Sequence, residues 1–323
     1  MKAITRFFAL GAALTICGAA SAQQYPTKPV KIIIPFAAGG VTDIATRLIA
    51  QKLSERNGQQ FYIENMPGAG SNLGTANAAR QPGDGYTILI TSSAIVVNPS
   101  LYANVPYNLD KDFIPITKAG GTPNSWVVNA NHPAKTMQEL IDLLKKEPGK
   151  HSVGSPGTGT TPSLSIEMLK HALKLDFVTV PFAGGGPMTQ SLLGGHTPVV
   201  NSALGNYVNL LKEGKLRGLA VTAKKRSAAM PSIPTLDEIG IKGQEAETMT
   251  GVFVPAGTPK AIVDKLHSEF VAVVSDPDIK AKLLQAGVEA EGNSQADFAA
   301  YNKAEVAKWK KVIEDANIKK IGS

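Results

Sequence analysis

From residue 29 onward, short runs of β-branched and aliphatic residues alternate with longer segments whose apolar residues recur at helical spacing. The runs are VKIII, FYIEN, YTILIT, SWVVNA, HSVGS, FVTVP, TPVVNS, LRGLAVT and TGVFVP. The helical segments between them cover 42–56, 71–80, 136–147, 162–173, 187–194 and 204–212, and three more close the chain at 259–274, 276–285 and 294–316. Parallel strands need a crossover between them, and a helix is the usual one. The alternation therefore restricts the chain to the α/β class, with mainly parallel sheets.

One strand-to-helix junction is written twice. VKIIIPFAAGGVTD at 30–43 and DFVTVPFAGGGPMT at 176–189 each pass from an aliphatic run through Pro-Phe and small residues into a helix start. NMPGAGSNLG and GSPGTGTTPSL are two further glycine-rich turns at the same kind of junction. Glycine lets a backbone approach a ligand and adopt positive φ. The helix that follows presents unpaired N–H groups and a partial positive charge. Thr42, Ser71, Thr161 and Thr189 add hydroxyls at or near these starts, so each turn can act as an uncharged anion cradle. Any α/β protein carries glycine at such turns and Ser or Thr at helix caps, and one turn alone would mean no more than that. Four turns, two of them matched, favour a ligand site. Ligands of open α/β sheets lie beyond the carboxyl ends of the strands. Two lobes facing each other by those ends would bring the Pro-Phe turns together across one cleft.

The length fits two domains. GGTPN at 120–124 and GQEAETMTG at 243–251 read as loops flanking a compact set of βα units. This places one lobe at 125–248, inserted into a discontinuous lobe of 23–124 plus 249–323, with two crossing segments as the hinge. Residues 1–22 read as a secretory signal: Lys2 and Arg6 precede an apolar stretch, and Ala20 and Ala22 mark cleavage after Ala22. Gly11 and Gly18 break that stretch, which is short for a membrane span. Cys17 is the single cysteine, and Ile16 before it fits a lipidation site poorly. The mature chain then holds no disulfide and depends on its core, which about 300 residues can supply. Loss of Lys2 and Arg6 lowers the formal charge from +7 to +5.

Several chemistries find no support in the sequence. The basic clusters KKR at 224–226 and KWKK at 308–311 lack interleaved aromatics, which argues against nucleic acid. GAGSNLG at 68–74 has the wrong glycine spacing for a dinucleotide fingerprint, and neither a P-loop nor a G-x-S-x-G elbow occurs. The five histidines show no ligand spacing, so no metal and no cofactor is expected. Asp43, in the first turn of a helix, suits the helix dipole better than acid catalysis. The turns offer cradles and no reactive centre.

The mature start, YPTKPVKIIIPFAAGGVTDIATRLIAQKL, resembles the solute-binding proteins of tripartite tricarboxylate transporters, the Bug family. The likeness continues through ENMPGAGSNLGT, PGDGYTILI, NPSLY, VPFAGGGPMTQSLLGG, EGKLRGLAVT and FVPAGTPKAIVDKL. It implies a two-lobed type II periplasmic binding protein fold with a hinge between the lobes, closing around a small organic anion. It also implies a monomeric periplasmic receptor that delivers a di- or tricarboxylate or aromatic acid to membrane transporter subunits. The candidate binding residues are Phe36, Ala38, Gly39, Gly40, Thr42 and Asp43 in the first turn, and Thr158, Gly159, Thr160, Thr161 and Ser163 in the glycine-threonine turn. Phe182, Ala183 and Gly184 stand beside them, and Ser71, Asn72, Ser92, Ser93, Ser202 and Asn206 complete the set. The chain departs from the family pattern at Pro162-Ser163-Leu164, where many members have Thr-His-Leu, and at Asn201-Ser202, where many have Phe-Asp. Neutral groups at Asn201, Ser202, Asn206 and Ser163 then suggest a second anionic or strongly polar ligand end, as in a dicarboxylate. The alternatives are a binding protein that signals to a two-component kinase and, with no positioned nucleophile and base in its favour, a small-molecule hydrolase.

Overall fold

The computed structural model describes residues 25–322, so the signal segment assigned to 1–22 lies outside the described residues. The chain begins with β1 (Val30–Ile34), α1 (Val41–Asn57), β2 (Phe61–Asn65), α2 (Asn72–Ala79), β3 (Thr87–Thr91), α3 (Ala94–Leu101) and α4 (Leu109–Asp112), then the long β4 (Phe113–Asn129). Next come α5 (Met137–Lys146), β5 (Ser152–Ser155), α6 (Thr161–Leu173), β6 (Val178–Pro181), α7 (Gly185–Leu193), β7 (Val199–Ala203), α8 (Val208–Lys212) and β8 (Leu216–Val221). β9 (Glu247–Pro255), α9 (Lys260–Ser275), α10 (Pro277–Gln285), β10 (Glu289–Ala290) and α11 (Gln295–Asp315) complete it.

The strands lie in the order β2-β1-β3-β9-β4-β7-β5-β6, with β8 and β10 also pairing with β4. Parallel pairs occupy the two flanks: β1 with β2 and β3, and β5 with β6 and β7. The centre is antiparallel, because β4 pairs that way with β7, β8, β9 and β10, and β3 with β9. Mainly parallel pairing was the expectation, and it fails at the centre. Hydrophobic period reports which face a residue takes and carries nothing about strand direction.

The two segments expected to be loops are largely strand. β4 takes in Gly120 to Asn124, and β9 starts at Glu247. The glycines there mark close approach of neighbouring strands, which glycine in a strand often does. A Cβ on Gly120 would lie 2.7 Å from the Glu289 carbonyl, and one on Gly121 would overlap the Glu247 carboxylate. α3 went unread for a different reason. AIVVNPSL is apolar almost throughout and buried on most sides, so it shows no amphipathic stripe.

Each lobe is a sheet sandwiched by helices. In β1, Ile32 and Ile34 enter one cluster with Ile49, Leu53 and Phe270, whereas Ile33 enters the opposite one with Phe298 and Trp309. β3 and β9 repeat the split, with Ile88, Ile90, Val252 and Val254 on the first side and Leu89 and Phe253 on the second. A strand buried on both faces reads as a continuous aliphatic run, which is why VKIII and TILIT lack alternation. In the other lobe Trp126 and Val128 pack with α5 and α6, while Val127 faces Met188, Leu192 and Tyr207. Complete burial of such side chains contributes about 1.5–3 kcal/mol each.

Candidate ligand-binding site

The two Pro-Phe turns face each other. β1 ends at Ile34, Pro35 and Phe36 follow, and Gly39 takes a φ of +84° before α1 begins. β6 ends at Pro181, and Gly184, at φ +140°, precedes α7. The Ala37 N–H donates to the Ala183 carbonyl at 3.4 Å, one turn to the other. Gly184 lies so close that an added Cβ would be 3.4 Å from the Ala37 nitrogen.

α1 has no side-chain cap from its own neighbourhood, since its N-cap is Gly40. The Val41 N–H instead donates to Asn206 Oδ1 at 2.7 Å, and Asn206 Nδ2 donates to Ser202 Oγ at 2.8 Å. An amide oxygen 165 positions away in sequence thus takes an N–H at the positive end of α1. The third turn runs Ser155-Pro156-Gly157-Thr158-Gly159-Thr160, and its glycines adopt φ of +137° and +85°. Thr160 caps α6, accepting from the Ser163 N–H at 3.4 Å while its hydroxyl donates to the Gly157 carbonyl at 2.7 Å.

These turns enclose two adjoining spaces. A compact one of about 40 Å³ is lined by Phe36, Gly40, Thr42, Asp43, Ser92, Thr160, Gly184, Ser202 and Asn206 among the candidates. A larger one of about 280 Å³ is lined by Phe36, Ser71, Thr158, Thr160, Phe182 and Ala183. Phe36, Pro156 and Thr160 form walls of both.

The other candidates line neither space. Ala38 and Gly39 are exposed on the first turn, where the Ala38 carbonyl approaches Gly186, and the Ser163 N–H donates to the Thr160 hydroxyl. Gly159 packs on Asn98, where a Cβ would overlap the amide oxygen. Asn72 Oδ1 accepts from Asn98 Nδ2 at 2.7 Å. Ser93 Oγ and Thr161 Oγ1 both donate to the Glu247 carbonyl, at 3.1 and 3.0 Å, tying α3 and α6 to β9. Asp43 reaches the compact space with both carboxylate oxygens engaged. Arg47 Nε is 2.9 Å from Oδ2 and Nη2 is 3.0 Å from Oδ1, and the Gly39 N–H and Asn65 Nδ2 also donate, each at 3.0 Å. Burial alone would raise this carboxyl's pKa, but those hydrogen bonds and the guanidinium outweigh it and hold it below the ordinary range.

Sequence reasoning included Pro156 within the turn at 155–163 without singling it out, and it overlooked Thr248 and Tyr102. Thr248 sits on β9 in a segment read as loop, and Tyr102 follows a helix that period does not reveal. Their contributions come from contacts distant in sequence.

A sequence model of the tripartite tricarboxylate transporter family receptor matches residues 45–318. Among solved structures, the periplasmic binding protein BugD is 33% identical with a TM-score of 0.88, covering 92% of this chain and 100% of its own. A Rhodopseudomonas palustris protein solved with adipate is 33% identical with a TM-score of 0.89, over 92% of this chain and 100% of that one. MatC from the same organism, with bound malate, is 30% identical with a TM-score of 0.85, over 90% and 100%.

Proposed function

The chain belongs to the tripartite tricarboxylate transporter receptor family, and on that premise we propose that it captures a small organic carboxylate in the inter-lobe cleft, in the periplasm, and delivers it to a membrane transporter. The observation that carries this reading is the meeting of the two Pro-Phe turns, with the N-terminus of α1 capped across the cleft by a neutral amide. A carboxylate oxygen is a stronger acceptor for such an N–H than an amide oxygen, because a charged partner roughly doubles the hydrogen bond. Periplasmic residence and adipate or malate binding in related structures support the same reading.

We place the lobe boundaries at 124/125 and 248/249. The pairing of β4 supports this: Phe113 to Pro123 pair with β9, and from Asn124 the partner is β7. The role is reception without turnover, since Asp43, the acidic group at the compact space, has its oxygens committed to Arg47, Asn65 and a backbone N–H.

A thermal-shift screen of the mature protein against carboxylates tests the proposal. A ligand at a hundredfold its Kd adds about 2.7 kcal/mol of stability, and its neutral amide analogue should add far less. Equal shifts from acid and amide, or no shift from any carboxylate, would refute it.

A further inference from the structure

The larger of the two adjoining spaces has a chemistry of its own. None of the residues lining it carries a charge. Three half-buried rings, Phe36, Tyr102 and Phe182, converge on it from three separate hydrophobic clusters. Each is anchored from behind, so their positions do not depend on one another.

Local structure holds the rings in place. The Phe182 N–H donates to the Ser155 carbonyl at 2.9 Å, and its ring edge lies against Gly154, where a Cβ would come within 3.2 Å of Cε2. Glycine at 154 therefore leaves room for the ring. The Tyr102 hydroxyl reaches across to the Thr158 carbonyl at 3.4 Å, and burial raises its pKa, so the phenol stays neutral. Gly70 sits between these groups, and a Cβ there would overlap both the Thr158 carbonyl and the Tyr102 hydroxyl. The wall is thus closed by glycine backbone and aromatic faces.

In the compact space Ser202 could offer a second anion no more than its single O–H, since its Oγ accepts from Asn206. In the larger space a second carboxylate would shed its hydration with no cation to face it. A flat ring there would have three other rings as its walls, and contact between aromatic rings is favourable. On the reading that the cleft is a carboxylate site, we infer that the ligand is an aryl acid: its carboxylate sits at the compact space and its neutral ring lies among Phe36, Tyr102 and Phe182. These three residues, with the glycines that seat them, set specificity.

Isothermal titration of the mature protein with benzoate and with succinate tests this, read as the ratio of the two affinities. The wild-type protein should prefer benzoate by about tenfold or more. In Phe182→Leu and in Tyr102→Leu that preference should fall to within about threefold of unity, since bulk is kept and the ring is lost. Phe182 stands on a surface turn, which keeps the test readable if Tyr102→Leu fails to fold. Succinate binding as tightly as benzoate in the wild type would overturn the inference, as would a preference that survives Phe182→Leu. Binding of other carboxylates but of neither probe sinks the aryl inference and leaves the receptor reading in place. If no carboxylate binds, both fall.

Discussion

Asp43, which lines the compact space, also fixes the shape of the cleft. Its carboxylate collects Arg47, Asn65 and the Gly39 N–H, and so fixes the first Pro-Phe turn in the shape that presents Val41. Its pKa is lower in the folded chain than in the unfolded one. Its contribution is therefore complete above the unfolded value of about 3.9 and is lost as pH falls through the folded value. Asp43→Asn should cost about 2 kcal/mol at pH 7, the scale of hydrogen bonds to a charged group. Urea unfolding at pH 7 and at pH 2.5 should show that gap shrink at the lower pH. A gap of equal size at both would mean the carboxylate charge is not what holds the turn.

At the scale of elements, α1 owes its N-terminal cap to the opposite side of the cleft. Asn206→Ala should remove about 1 kcal/mol, the usual worth of a cap, and weaken the contact between the facing turns. Gly185→Ala should act through the same bond, because its Cβ would lie 2.5 Å from Asn206 Nδ2 and displace that side chain. Small-angle scattering should report a larger radius of gyration for both variants. If Gly185→Ala leaves the radius unchanged while Asn206→Ala raises it, the amide accommodates the methyl group and the coupling is absent. Gly40→Ala is the contrasting case: its Cβ would be 3.5 Å from the Gly185 nitrogen, an ordinary contact, so it should be tolerated.

Across the whole molecule, β4 and β9 pair along the segments that cross between the lobes, and Lys118, in β4, is buried with only 6% of its side chain exposed. Its ammonium lies 2.8 Å from Glu247 and 2.7 Å from Glu291, and over the Tyr301 ring at 4.8 Å. Burial would lower its pKa, but the two carboxylates outweigh that and raise it. Lys118→Met should cost about 2 kcal/mol by leaving two carboxylates without their shared cation. The ammonium is buried while Glu247 and Glu291 are 39% and 40% exposed, so high salt should erase part of that loss and leave the rest. If 0.5 M salt abolishes the difference, the triad behaves as a surface pair and does not brace the crossing strands.

The sequence by itself determined the α/β class, the order of most elements, and the positions of the turns at 35–40, 156–160 and 181–185. Those features are local: a strand run, a glycine with positive φ and a helix start are all set within about ten residues. It did not determine that the crossing segments are strands, or that the centre of the array is antiparallel. Nor did it give the partner of Val41 or the place of Tyr102 beside Phe36 and Phe182. Among the candidates, Asn72, Ser93 and Thr161 carried the right chemistry for a site, yet the fold turned them to Asn98 and Glu247 as ties. A hydroxyl or an amide advertises what it can bond, and only tertiary structure decides which distant group it meets.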